Sequence, residues 1–372
     1  MLPNLQSLNW RHGDDDFQYI DCFLAPQLTR ILIPHTSLAA LRCPQLTAIT
    51  LFPRGELHLR SLAVSAVSAC VRSLHSIERL YADTLDLPAL EHLSRLPNLR
   101  HLRLGGLPSS FHTHDNEALF SSLKTLCFYS DSESPVRFLE WGHKTPLVDF
   151  VAECPAFSTA EEVQRLFSAV AGGISHSSLT EFTFNNEFGA LDTSDSASYL
   201  IRSSALRSLF CFVNLTSVSV SSAVGIDLDD TTVTDSDMAR SWRHIEFLDL
   251  HSYYGTPAPR ATLQCLEAFP KYCHHLTTLS LAFDATVIPT LQGDLYLESL
   301  EKFDAQASPI ATVPPVARFI FSIFPSLQNI VTLPESLGGD VAWEGDLRPE
   351  VREYNRRWTE VARIYASLQN SG

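Results

Sequence analysis

No apolar run in this chain approaches the roughly 20 residues that a membrane-spanning helix requires. The first residues, MLPNLQSLNW, have neither the basic segment nor the apolar segment of a secretory signal. Positive charge is also scarce: 27 Lys and Arg face 42 Asp and Glu, a formal net charge of −15. Nucleic-acid phosphates and anionic membrane surfaces are repelled by such a balance rather than neutralised, so neither is an expected partner. Eight cysteines are present, at 22, 43, 70, 127, 154, 211, 265 and 273, and no two form a CxxC pair. Most sit within apolar segments, as buried free thiols do, which fits a reducing compartment, cytoplasmic or nuclear.

Catalytic signatures are equally sparse. There is no Gly-rich phosphate loop, and GGISHSS (172–178) lacks the closing glycine of a nucleophile elbow. Nothing brings a base and a nucleophile together at a recognisable spacing, so an enzyme is not expected, and no cofactor is. His112, His114 and Asp115 in FHTHD have no second ligand cluster at a usual zinc spacing and read as a solvated loop. Asp227, Asp229, Asp230, Asp235 and Asp237 superficially resemble a calcium loop. The required Gly and Glu positions, however, hold Thr232 and Met238. They read instead as an acidic turn feeding a helix N-terminus, where carboxylates are favoured. No metal site is expected.

What the chain does have is repetition. Hydrophobic residues make up 45% and charged residues 19% of its 372 positions. A six-residue pattern (apolar, two free positions, apolar, one free, apolar) recurs thirteen times from end to end. The copies start at Leu5, Leu28, Leu46, Ile77, Leu99, Leu123, Leu147, Leu179, Leu215, Ile245, Leu276, Leu300 and Leu327. Their separations of 18 to 36 residues fall around solenoid repeat lengths. The last three positions have period two, which predicts a short strand with alternate side chains on one face. The leading apolar residue marks the bend into that strand. Helical stretches follow several copies, at 59–74, 88–96, 159–173, 261–273 and 314–325, some opening on Pro88, Pro315 or the pair Thr159 and Glu162.

A strand, a turn, a helix and a return to the next strand make a coil whose stacking sets strands on one side and helices on the other. Helices are wider than the ~4.8 Å strand spacing, so such a stack curves with its strands inside. The expected fold is therefore α/β, a solenoid of horseshoe form with a parallel sheet on the concave face and helices on the convex face. Residues 1–332 would form about thirteen irregular repeats. Residues 333–372 would form a loop and a helix, helical in spacing from Glu350 to Leu368, that caps the end.

The strand lead-ins CPQL (43–46), LPNL (96–99), CHHL (273–276) and FPSL (324–327) resemble leucine-rich repeats of the cysteine-containing type found in F-box proteins. Segment 206–251, with LRSLFCFVNLTSVSVSS, GIDLDDTTVTDSDMARSW and RHIEFLDLH, is similar to the repeat region of the fungal F-box proteins, and WTEVARIY (358–365) resembles how those chains finish. The likeness covers essentially the whole chain. It implies a protein-recognition module, the substrate-receptor part of a cullin-RING ubiquitin ligase. The alternative is an intracellular leucine-rich-repeat scaffold with no link to ubiquitin. An F-box itself is not found. Residues 333–362 have an opening Leu-Pro and a late Arg-Trp but lack an apolar helical ladder between them. Adaptor and cullin are thus implied only if the full gene product carries an F-box upstream of Met1.

A target protein is expected on the concave face, met by the second, fourth and sixth residues after each leading apolar position. Those residues give a basic and aromatic strip, Phe52, Arg79, Tyr81, His101, Arg103 and Tyr129, followed by a change of sign at Asp149, Glu153 and Glu181. Arg and Tyr are types in which interfaces concentrate their energy.

Overall fold

The computed structural model describes residues 4–9, 27–34, 45–52, 60–108, 111, 119–142, 144–186, 197–222, 224–234, 238–252, 259–291, 293, 295–331 and 349–370. His112, His114 and Asp115 of FHTHD, Asp235, Asp237 and the stretch 332–348 lie outside them. The chain divides into two compact units, Met1–Glu153 with Gly172–Ser178, and Cys154–Ala171 with Leu179–Gly372. The protein is α/β, with a large parallel sheet of thirteen strands and helices between them. The first unit carries seven of those strands and the second carries six.

In the first unit the strands are β1 (Ser7–Asn9), β2 (Arg30–Pro34), β3 (Ala48–Phe52), β4 (Arg79–Thr84), β5 (His101–Gly106), β6 (Thr125–Tyr129) and β7 (Asp149–Glu153). Each pairs with the next in parallel. In the second unit they are β8 (Glu181–Asn186), β10 (Ser217–Ser222), β12 (Phe247–Ser252), β13 (Thr278–Ser280), β14 (Lys302–Asp304) and β15 (Asn329–Val331), again all parallel. Two short strands, β9 (Ile201–Arg202) and β11 (Ile226–Asp227), pair separately.

Each of the thirteen strands starts two residues after the leading apolar residue of one sequence copy. A repeated hydrogen-bond device enforces this. Ahead of β2 to β7, β10 and β12 to β15, two successive N–H groups donate to one carbonyl just before the neighbouring strand. Glu78 and Arg79 donate to Thr47 O, Arg100 and His101 to Glu78 O, Lys124 and Thr125 to Arg100 O. In the second unit Glu246 and Phe247 donate to Thr216 O, and Glu301 and Lys302 to Thr277 O. Each such bend thereby fixes the register of the strand after it. The copies at Leu147 and Leu327, the latter ending in Thr332 rather than an apolar residue, form strands like the others.

Alternate strand residues line up as buried rows. Leu80, Leu102, Leu126 and Phe150 stand in register across β4 to β7, and each is fully buried. Phe182, Val218, Leu248, Leu279 and Phe303 do the same from β8 to β14. At roughly 1.5–3 kcal/mol for each large apolar side chain buried, these rows are the main stabilising feature of each sheet.

The helices, in chain order, are α1 (Arg60–Arg72), α2 (Leu87–Ser94), α3 (Glu133–Trp141), α4 (Ala160–Gly173), α5 (Ser203–Arg207), α6 (Asp230–Val233), α7 (Met238–Ser241), α8 (Ala268–Tyr272), α9 (Val313–Ile323) and α10 (Pro349–Gln369). The Thr159 and Glu162 signal is a reciprocal cap on α4. Glu162 accepts from Thr159 N at 2.7 Å, and Thr159 Oγ1 accepts from Glu162 N at 3.3 Å. The helix read over 261–273 is instead a 3-10 turn, Leu263–Glu267, followed by the short α8. Leu263 N donates to Asp284 O rather than within a helix, which holds the start of the segment to the neighbouring coil. The long α10 packs on α9 and β15. Among the described residues no helix is long and apolar enough to cross a membrane.

Candidate functional site

Burying one face of each strand leaves the other face open, and the sequence decides what it presents. In the first unit Arg79, His101, Thr125 and Asp149 stand in register, and Tyr81, Arg103 and Cys127 form the next row. Tyr129 lies opposite Glu153 in the row beyond. Tyr81 and Tyr129 are 41% and 46% exposed, high for aromatic side chains within a sheet. The residues predicted from 79 to 153 are thus brought together on one open face. Phe52 is the last residue of β3, and its side chain is outside what the structure describes. Glu181 opens β8 in the second unit and is exposed there.

The charge on the first face is narrower than its sequence suggests. Burial, with help from Arg79 and Arg100, lowers the pKa of His101 below the usual histidine value, Glu78 opposing, so the ring is mostly neutral at physiological pH. Arg103 donates to Glu153 at 3.2 Å, a half-exposed pair worth about 0–1 kcal/mol. Arg79 and Arg103 therefore supply the positive charge of the strip, and Tyr81 and Tyr129 its aromatic surface. A cavity of about 310 Å³ runs over β1 to β4, with Arg30, Thr50, Arg79 and Tyr81 on its wall. Cys127 is held inert, its thiol pushed to about 11 mainly by burial.

No protein-family model and no curated protein sequence matches this chain. Function must therefore be read from the open faces themselves.

The open face of the second unit carries a cluster that the sequence reading missed. Asp249, Ser280 and Asp304 stand in register on β12, β13 and β14. Phe247, Thr278 and Lys302 form the row on one side, and Ser221 and His251 the row on the other. Together they line a cavity of about 370 Å³. The pKa values of both aspartates are raised above the ordinary carboxylate value, first by burial. His251 and Lys302 pull the other way, and the charge of Asp249 pushes Asp304 higher still.

Gln306 organises this row from behind. Its backbone N–H donates to Asp304 at 2.7 Å. Its side-chain amide donates to Leu250 O at 2.7 Å and to Ser280 Oγ at 3.0 Å, and its side-chain oxygen accepts from Ser252 N. Ser280 in turn hydrogen-bonds Asp249. Gln306 does this from a left-handed backbone conformation, φ 52°, which non-glycine residues adopt only when their surroundings enforce it.

The acidic turn at 227–230 is a structural feature. Asp229 caps α6 by accepting from Thr232 N at 2.9 Å, and hydrogen bonds from Thr232 and Thr231 hold its carboxyl down to about 2. Asp227 forks onto Arg260, and Asp230 accepts from the backbone and hydroxyl of Thr262.

A pH signature follows from the second face. Because burial raises the native pKa of Asp249, the folded protein binds a proton there more tightly than the unfolded chain does, in the window between the ordinary carboxylate value and the raised one. Its contribution to stability therefore falls as pH rises from the ordinary carboxylate range through the raised native value. Asp249→Asn is expected to melt at a higher temperature than wild type at pH 7.5, with the gap closing towards about pH 4. Melting curves at the two pH values check this; a lower midpoint for the variant at pH 7.5 would contradict it.

Proposed function

We propose that the protein is a non-enzymatic recognition module, a leucine-rich-repeat solenoid of horseshoe form that captures a target protein on its strand-lined face. The observation that carries this reading is the alignment of Arg79, Tyr81, Arg103 and Tyr129 on neighbouring strands of one open face. Backbone bonds ahead of β4, β5 and β6 register these strands and hold the side chains at fixed spacings before any partner arrives, which reduces the ordering cost of binding. Exposed tyrosines beside arginines suit a partner segment that is acidic and partly apolar. The resemblance to F-box repeat regions adds the role of substrate receptor for a cullin-RING ubiquitin ligase, with adaptor and cullin engaged through an F-box of the full gene product. Six free cysteines among the described residues support an intracellular setting, cytoplasmic or nuclear.

Site-specific photo-crosslinking tests the capture. With benzoylphenylalanine at Tyr81 or Tyr129 of the full gene product, both positions are expected to give an adduct with the same protein in cell extract. The probe at Glu91, exposed on α2, should give none of that adduct. The same adduct from Glu91 alone, with neither tyrosine position reacting, would place recognition elsewhere.

A further inference from the structure

We propose that the cavity over β12, β13 and β14 receives the guanidinium of an arginine side chain presented by the captured protein; this rests on reading the open strand faces as the recognising surface. The cavity, at about 370 Å³, has room for a guanidinium and its alkyl stem. Its floor carries two carboxyls, Asp249 and Asp304, that His251, Lys302 and the Gln306 N–H compensate only in part. Asp304 is only 6% exposed, and Oδ1 of Asp249 is shut off from solvent with no hydrogen-bond partner among the described residues. Burying carboxylates in this state is unfavourable unless a cation and its donors complete them.

The shape of the lining selects the kind of cation. Asp249 and Asp304 flank Ser280 two strand spacings apart, about 10 Å between backbones. Their side chains rise from the same face, so a planar group entering between them can offer N–H donors to both. Phe247 is 37% exposed, two residues before Asp249 on the same face, and gives that plane a ring to stack on. An anion would be repelled, and a neutral group would leave the acids unpaired. Two basic groups share the lining: His251, which is buried, and Lys302, which is solvent-exposed at the edge of the cluster. Lys302 is the one a guanidinium would replace. It offers a single compact charge on a mobile stem and can swing away when a guanidinium enters.

The test uses the full chain and three small probes: blocked arginine amide, its citrulline analogue, which keeps the shape without the charge, and blocked lysine amide. Binding is followed by ligand-observed NMR at pH 7. The arginine probe is expected to bind at least tenfold more tightly than the citrulline probe and several-fold more tightly than the lysine probe. Asp249→Asn and Asp304→Asn should each weaken it at least fivefold, and Lys302→Met, which removes the competing cation, should tighten it. Equal binding of arginine and citrulline, a preference for lysine, or unchanged binding by a folded Asp249→Asn/Asp304→Asn variant would overturn the proposal. Folding of each variant is read from its melting curve. The crosslinking from Tyr81 and Tyr129 is independent of this cavity. An adduct there without arginine selectivity here removes the cavity assignment alone. Arginine selectivity with no adduct at either tyrosine removes the protein-capture reading and leaves an isolated guanidinium site.

Discussion

Trp358→Ala is expected to destabilise the second unit by about 4 kcal/mol, the middle of the range for deleting a large buried aromatic side chain. Trp358 is 1% exposed and lies on α10, which packs on α9 and β15. Its ring meets Phe283 and Phe303 edge-on, at 5.8 and 6.4 Å between centroids, and its indole N–H donates to Ser308 O at 2.9 Å. Truncation removes the ring contacts, leaves a cavity, and strips a buried carbonyl of its donor. The same helix also sends Tyr365 to the final bend, where its hydroxyl donates to Phe324 O and accepts from Leu327 N. On the proposed solenoid reading, losing α10, which packs on α9 and β15, should loosen the strands nearest to it first. Hydrogen exchange should therefore show the amides of β14 and β15 losing protection in Trp358→Ala while those of β4 to β6 keep theirs. Trp358→Phe, which retains a ring, should recover much of the loss. Uniform loss of protection along the chain would mean that α10 is not an end cap.

The strands were legible in sequence because their signal is backbone geometry repeated thirteen times. A leading apolar residue buried at the bend and a period of two after it leave little freedom for where each strand begins. The helices were legible where a cap or an amphipathic run marks them, as at α4 and α9, and less so at 261–273, where hydrogen bonds to the adjacent coil override helical spacing. On the first open face, position told which residues would be neighbours. It could not tell that burial would lower the pKa of His101 or that Glu153 would take up part of the charge of Arg103, since both depend on tertiary surroundings.

The second cluster was within reach of the same rule. Asp249 and His251 are the fourth and sixth residues after Ile245, and Lys302 and Asp304 the second and fourth after Leu300. Their separate positions were visible. What was not visible is that three neighbouring strands set Asp249, Ser280 and Asp304 side by side, or that Gln306 folds back in a strained conformation to hold them.

Reversing the charge on the first open face, with Arg79→Glu and Arg103→Glu together, is expected to weaken binding of the crosslinked partner by at least a hundredfold, about 2.7 kcal/mol. Removing one member of a desolvated charge pair at an interface costs about 2–5 kcal/mol, and reversal adds repulsion of an acidic partner. Folding should hardly change, because both arginines are partly exposed and the ion pair of Arg103 with Glu153 contributes at most about 1 kcal/mol. The association rate of wild type should also fall as salt is raised, while that of the variant should not. The deciding measurement is the dissociation constant of the purified partner for wild type and for the folded double variant at 0.15 M salt. A hundredfold loss with an unshifted melting midpoint is the predicted result; equal affinities would contradict recognition by this face.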